Sequence, residues 1–233
     1  MSQGILAVVP ARAGSKRLPN KNILPLGGQP LIAWTIKTAI EANVFDKVLV
    51  STDDAKIAKI AAEYGAWVPW LRPSHLAKDL STSIEVLMHA LEAVDPNELK
   101  YSHVALLQPT SPFRSAKTIV FGVHQYFSNG CMPVVSVSPA KTHPDLCFSL
   151  NKEGRISRYT FEKKITSLRS QDLFPVFEIN GAFYITSIQD LKTYRSFLTP
   201  KTTAIVMESR VENLDIDDEW DFKLAQHFAS LNV

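Results

Sequence analysis

The chain has 233 residues, 45% hydrophobic and 21% charged, an ordinary globular composition that suits one large domain or a domain with an insertion. Its formal net charge is only +2, which argues against a general nucleic-acid binder but leaves room for a local basic pocket. The two cysteines, Cys131 and Cys147, have no metal-type spacing and suit a reducing compartment.

Met1-Ser2-Gln3-Gly4 lacks a positive stretch, and the apolar run over residues 5–10 is too short for a signal peptide or a membrane span. The expectation is a cytoplasmic protein with no membrane or nucleic-acid partner. Ile5-Leu6-Ala7-Val8-Val9 reads as a strand buried on both faces and ended by Pro10. Residues 30–42 carry apolar groups at helical spacing, with Pro30 suited to a first turn. Lys47-Val48-Leu49-Val50-Ser51 is a second buried strand, followed by a helix over residues 54–64 that Gly65 closes as a left-handed cap. Thr82 and Glu85 form a capping-box pair for a helix to about Val94. His103-Val104-Ala105-Leu106-Leu107 is a third central strand, Ser115 caps a helix to about Phe127, and residues 134–137 make a fourth strand.

This alternation predicts an α/β fold, Rossmann-like, with a mainly parallel sheet and helices on both faces. Ligands of such folds sit at the carboxyl ends of the strands, where residues 12–22, 52–54 and 108–114 fall. Residues 139–175 are richer in Lys, Arg and short polar segments and read as an inserted arm, a candidate dimer contact. Strand character returns at residues 182–186 and 203–206, and residues 217–231 form a last amphipathic helix. The expected organisation is one domain over residues 1–233 with an arm at about 139–175.

The loop after the first strand holds four cations, Arg12, Lys16, Arg17 and Lys21, around Gly14-Ser15. Backbone amides at Gly14 and Ser15 can form an anion nest, and Arg and Lys supply forked and point charges for phosphate oxygens. The loop has neither Walker A nor G-x-G-x-x-G spacing. A solvated basic loop is the plain alternative, with mutual repulsion against it.

The segment Pro10-Ala11-Arg12-Ala13-Gly14-Ser15-Lys16-Arg17-Leu18-Pro19-Asn20-Lys21-Asn22 resembles the signature of the acylneuraminate cytidylyltransferases, the family that makes CMP-sialic acid and its relatives. The likeness continues in Val50-Ser51-Thr52-Asp53-Asp54, Leu71-Arg72-Pro73, Leu107-Gln108-Pro109-Thr110-Ser111-Pro112, Asn180-Gly181-Ala182 and Leu214-Asp215-Ile216-Asp217, in order along nearly the whole chain. The resemblance implies a nucleotidyltransferase fold with a small dimerisation arm. It implies transfer of CMP from CTP to the anomeric hydroxyl of an acidic nine-carbon sugar, with release of pyrophosphate. It assigns nucleotide contacts to Arg12, Gly14, Ser15, Lys16, Lys21, Asn22 and Arg72, and sugar contacts to Gln108, Ser111, Arg169 and Asn180. Lys21, Arg12 and Asp215 would be the catalytic groups, and Asp215 with Asp217 would hold Mg²⁺.

The residues themselves support part of this. Asp215 and Asp217 lie one residue apart, so an extended segment turns both carboxylates to one face, where they suit a hard cation shared with phosphates. N-capping by Asp217 is the competing explanation. Asp53 and Asp54 are accounted for by capping of the helix that follows, and are left out of the site. Gln108, Thr110 and Ser111 offer neutral hydrogen-bonding groups on a proline-stiffened turn. The chain departs from the family pattern in the arm. An arginine usual before Gln171-Asp172-Leu173 is Ser170, with Arg169 one residue earlier, and a basic position two before Asn180 is Glu178. Legionaminic, pseudaminic and 3-deoxy-manno-octulosonic acids are alternative acceptors, and a non-catalytic nucleotide-binding module is the rival outside enzymology.

Overall fold

The structure is a computed structural model that describes residues 4–159 and 173–231. Its core is a six-stranded sheet of β1 (Gly4–Pro10), β4 (Lys47–Ser51), β5 (Tyr101–Leu106), β6 (Val134–Pro139), β9 (Phe177–Ser187) and β10 (Thr203–Val206), in the spatial order β10-β6-β9-β5-β1-β4. β1 pairs in parallel with β4 and β5, and β10 in parallel with β6. β9 alone runs antiparallel, between β5 and β6. The sheet is therefore mainly parallel, as the alternating pattern predicts.

Side-chain alternation along β1 explains how helices cover both faces. Ile5, Ala7 and Val9 pack with Ile32 and Ile36 of α1 (Leu31–Glu41), Ile57 and Ala61 of α2 (Ala55–Glu63), and Ile119 and Val123 of α4 (Ala116–Ser128). Leu6 and Val8 turn to the other face, against Leu87 and Leu91 of α3 (Ser83–Val94) and Ile188 and Leu191 of α5 (Ile188–Tyr194). Among the described residues no helix is long and apolar enough to cross a membrane.

A third cluster sits at the end of the sheet and shapes the site. Leu18, Leu26, Phe113 and Ile216 pack there against Phe222, Ala225 and Ala229 of α6 (Glu219–Ser230). Leu26 belongs to a two-residue ribbon, β2 (Pro25–Leu26) against β3 (Gln29–Pro30), which has no periodic signal in the sequence.

Several local expectations shift. Pro30 is the N-cap of α1, with φ −60° and ψ 144°, one place before the first turn. The last helix is capped by Asp218, whose carboxylate accepts from the amides of Trp220 and Asp221. Asp217 is thereby released from the capping role that competed with a ligand role. Asp54 does cap α2, accepting from Ile57 N, and Thr82 with Glu85 forms the capping box of α3. Of the segment read as an arm, residues 160–172 lie outside the described residues. Its described part includes the short hairpin β7 (Phe148–Leu150) with β8 (Ile156–Arg158).

Gly122 of α4 faces the buried ring of Phe183 on β9. A Cβ at Gly122 would fall 2.8 Å from Phe183 Cδ1 and 2.9 Å from Cζ, and closer still to Cε1. Phe183 has no exposed surface into which to swing. Gly122→Ala is expected to cost about 1–3 kcal/mol of stability by overpacking, lowering the melting temperature by roughly 2–4 °C per kcal/mol. An unchanged thermal midpoint would contradict this packing of α4 on β9.

Candidate active site

The site forms at the carboxyl ends of β1, β4 and β5. β1 hands over at Ala11, whose amide donates to Ser51 O of β4 at 2.9 Å. The basic loop is then folded by its own polar groups. Asn22 Nδ2 donates to Arg12 O at 2.9 Å, and Ala13 N donates to Asp53 Oδ1 at 3.1 Å. Asn20 adopts the left-handed conformation, with φ 56°, and turns the chain into a single 3-10 turn, Lys21–Ile23. The Ser15 amide, expected in an anion nest, instead donates back to Ala13 O at 2.9 Å.

Each of the four cations meets an acid brought from elsewhere. Arg12 Nη1 and Lys16 Nζ both reach Asp79, at 3.0 and 2.5 Å. Arg17 Nη1 lies 3.0 Å from Asp217 Oδ2. Lys21 Nζ donates to Ile216 O at 2.6 Å and lies 3.8 Å from Asp217 Oδ1. Burial lowers the Lys21 pKa, while Asp217 and Asp215 oppose the shift.

Asp215 and Asp217 flank Ile216, which is fully buried in the third cluster. The intervening side chain goes to the core and both acids line a cavity of about 330 Å³. Arg12, Ser15, Lys21, Asn22, Arg72 and Gln108 line it too. Burial raises the Asp215 pKa, and a hydrogen bond from the Thr110 hydroxyl and the charge of Lys21 work against that shift. Asp215 Oδ1 is buried and has no hydrogen-bond partner. An unpartnered carboxylate oxygen beside a second carboxylate fits a hard divalent cation. Among the described residues there is no group of three or more His, Cys, Asp or Glu side chains arranged for a metal. Mg²⁺ is a hard divalent ion of that kind, commonly held by one or two carboxylates with phosphate and water oxygens completing its shell.

Arg72 is only 5% exposed. Its amide donates to Thr52 O at 2.6 Å, and its Nη2 lies 3.6 Å from Asp53 Oδ1. Burial lowers its pKa and Asp53 counters. Its Nε and the Asn22 Oδ1 are buried without partners, so they add a free donor and a free acceptor to the unpartnered Asp215 Oδ1 in the cavity wall.

Gln108 lies over Gly181, which has φ +75°, and a Cβ there would overlap Gln108 Oε1. Asn180 is buried, with Oδ1 accepting from Ser136 Oγ and Nδ2 donating to Asn213 Oδ1 at 2.8 Å. It borders a second cavity of about 840 Å³, together with Lys141, Glu178 and Arg210. Asp215 lines both cavities. Gly14 and Ser111 line neither cavity, and Lys16 reaches the first only through Asp79. Arg169 lies outside the described residues.

Three residues of the site escaped sequence reasoning. Asp53 holds the basic loop and Arg72 as well as ending a strand. Its place at the carboxyl end of β4 was the available signal. Asp79 sits in an irregular segment and meets Arg12 from 67 residues away, which no local pattern reveals. Arg114 is buried behind the Gln108 turn.

A cytidylyltransferase family model matches residues 6–217. The chain is 38% identical to the CMP-N,N'-diacetyllegionaminic acid synthase of Legionella pneumophila, over 98% of this chain and 97% of that protein. It is 36% identical to the N-acylneuraminate cytidylyltransferase of Escherichia coli O18:K1:H7, over 97% of this chain and 52% of that protein. The solved structure of CMP:2-keto-3-deoxy-manno-octonic acid synthetase complexed with CTP aligns with a TM-score of 0.72 at 15% identity, covering 99% of this chain and 100% of that one. At that identity the likeness speaks for the fold.

The Asp215 environment yields a direct test. Its carboxyl should titrate above the ordinary value of 3.8. Lys21→Met should move the midpoint higher still, because that ammonium favours the ionised form. The sign for stability follows: a raised folded-state pKa means that stability is lost as pH climbs through the window from 3.8 to the raised value. Carboxyl-carbon NMR across acidic pH measures the midpoint. No change with Lys21→Met would contradict the placement of Lys21.

Proposed function

The chain belongs to the cytidylyltransferase family, and on that premise we propose that it transfers CMP from CTP to the anomeric hydroxyl of a nonulosonic acid, releasing pyrophosphate. The observation that carries the reading is one cavity in which Arg12, Lys21, Asp215 and Asp217 converge beside the unpartnered Asp215 Oδ1. A module that merely bound nucleotide would not need a buried, unpartnered carboxylate oxygen beside a second carboxylate at the phosphate end.

In this reading Arg12 and Lys16 exchange Asp79 for the β- and γ-phosphates. Their exposed contacts with one carboxylate are weak enough to give way to a triphosphate. Lys21 faces the α-phosphate, where its desolvated ammonium offsets charge that grows in the transition state. The unpartnered Asn22 Oδ1 and Arg72 Nε offer an acceptor and a donor to the nucleoside. Asp215 and Asp217 hold Mg²⁺, which when bound neutralises phosphate charge and makes the attacking hydroxyl more acidic. The new bond joins the anomeric oxygen to the α-phosphorus, the bond to the β-phosphate bridging oxygen breaks, and the hydroxyl proton passes to solvent. The residues act by positioning and charge, without a covalent enzyme intermediate.

The acceptor takes the larger cavity, whose Lys141 and Arg210 offer cations to its carboxylate, with Gln108 meeting it from the smaller cavity and Arg169 of the arm as a further sugar contact. Asp215 on the shared wall brings the two substrates together. The chain is proposed to be one domain with the arm at 139–175 inserted. The exposed Phe148, Leu150, Ile156 and Phe177 around that arm are the apolar face of a homodimer. A consumer of CTP belongs in the cytoplasm, where that nucleotide is made.

Incubation with CTP, Mg²⁺ and a panel of N-acetylneuraminic, legionaminic, pseudaminic and 3-deoxy-manno-octulosonic acids, with mass detection of products, tests the reading. A CMP-sugar with at least one nine-carbon acid is expected; a product only with the eight-carbon acid, or none, would overturn it. Lys21→Ala is expected to lower kcat by about 10²–10³-fold, and Asp215→Asn to weaken the response to Mg²⁺. Near-normal turnover in the first, or an unaltered Mg²⁺ titration in the second, removes the assigned role. Asp79→Asn frees two phosphate ligands and should tighten CTP binding about two- to fivefold, read by calorimetry; weaker binding would contradict the exchange.

A further inference from the structure

Arg114 is 2% exposed and follows the turn that carries Gln108. Its guanidinium donates four hydrogen bonds. Nη1 reaches Ala182 O at 2.7 Å, and Nη2 reaches Gln108 O at 2.7 Å, Ser111 O at 2.9 Å and Thr35 Oγ1 at 3.0 Å. None of these partners is an acid. A buried guanidinium bonded only to neutral oxygens is a costly arrangement. The acid whose charge favours its ionised form is Asp215.

The bonds lead into the reaction centre by short steps. Gln108, whose carbonyl is one acceptor, lines the nucleotide cavity and lies over Gly181, the residue before Ala182. Thr110 stands in the middle of the same turn. Its carbonyl accepts from Ile216 N at 2.8 Å and its hydroxyl bonds the Asp215 carboxylate. Ile216 O in turn accepts from Lys21 Nζ at 2.6 Å. One planar fork thus joins the turn to β9 and α1, and the turn joins the acid segment and Lys21.

We infer that Arg114 is a positioning residue for the transfer: by clamping the Gln108–Arg114 turn to Ala182 and Thr35 it sets where Gln108, Asp215 and Lys21 stand relative to one another. Arg114 lines neither cavity, so it acts through those residues and not by touching substrate. Neutral donors could close the turn. A planar fork spanning four acceptors also fixes its orientation, and its charge opposes that of Asp215.

This inference rests on the cytidylyl-transfer reading, and the assay separates the two. Arg114→Lys keeps the charge but cannot span the four acceptors. It should fold, lower kcat by about ten- to a hundredfold and leave the KM for CTP within about threefold, since a displacement of order 1 Å is enough for such a loss. Arg114→Met should fall below Arg114→Lys. Thr35→Val, which removes one outer acceptor far from substrate, should lower kcat by about two- to fivefold with the same KM pattern. Wild-type kcat in Arg114→Lys and Thr35→Val would overturn the inference and leave Arg114 a purely structural group, even if Arg114→Met failed to fold. If the wild type itself forms no CMP-sugar, the functional reading falls first. The crystal structure of Arg114→Lys then decides: displaced Gln108 and Thr110 support the inference, and unmoved ones overturn it.

Discussion

A half-buried ammonium holds the two ends of this chain together. Lys21 Nζ reaches across 195 residues of sequence to the carbonyl of Ile216. That bond offsets part of the desolvation of the lysine and fixes the segment bearing Asp215 and Asp217 against the basic loop. Cations and carboxylates that would repel within their own segments are neutralised between segments. The result is a site assembled from distant pieces and charge-matched within itself, with Asp79 facing Arg12 and Lys16 and Asp217 facing Arg17 and Lys21.

The sheet makes this convergence possible. Parallel β1, β4 and β5 deliver Arg12, Asp53 and Gln108 to the same edge. Antiparallel β9 enters from that edge and brings Gly181 beneath Gln108 and the Ala182 carbonyl to Arg114. The third apolar cluster then anchors α6, whose N-terminus follows Asp217 directly. Its capping by Asp218 leaves Asp217 free to face Arg17 and Lys21.

Much of this was legible in the sequence because it is local. Continuous apolar runs announced β1, β4 and β5, and the capping box announced α3. The four cations of the loop and the alternation of Asp215, Ile216 and Asp217 marked side chains that the structure brings together. What escaped depends on pairing at long range. The direction of β9 depends on its neighbours in the sheet, and its residues 177–179 are exposed, so alternation there gives no core signal. Capping accounts for Asp54 alone, and Asp53 turns to Ala13 and Arg72. Arg114 reads as one more basic residue before a helix, and only its burial among four oxygens distinguishes it.

The central claim is that one cavity holds the triphosphate between the basic loop and the acid pair. A crystal structure with Mg²⁺ and a CTP analogue that cannot be cleaved between the α- and β-phosphates tests it most directly. The account predicts the β- and γ-phosphates on Arg12 and Lys16 with Asp79 withdrawn, the α-phosphate beside Lys21, and the cation on Asp215 and Asp217. A triphosphate bound away from Arg12 and Lys21, or a cation that leaves Asp215 unpartnered, would contradict it.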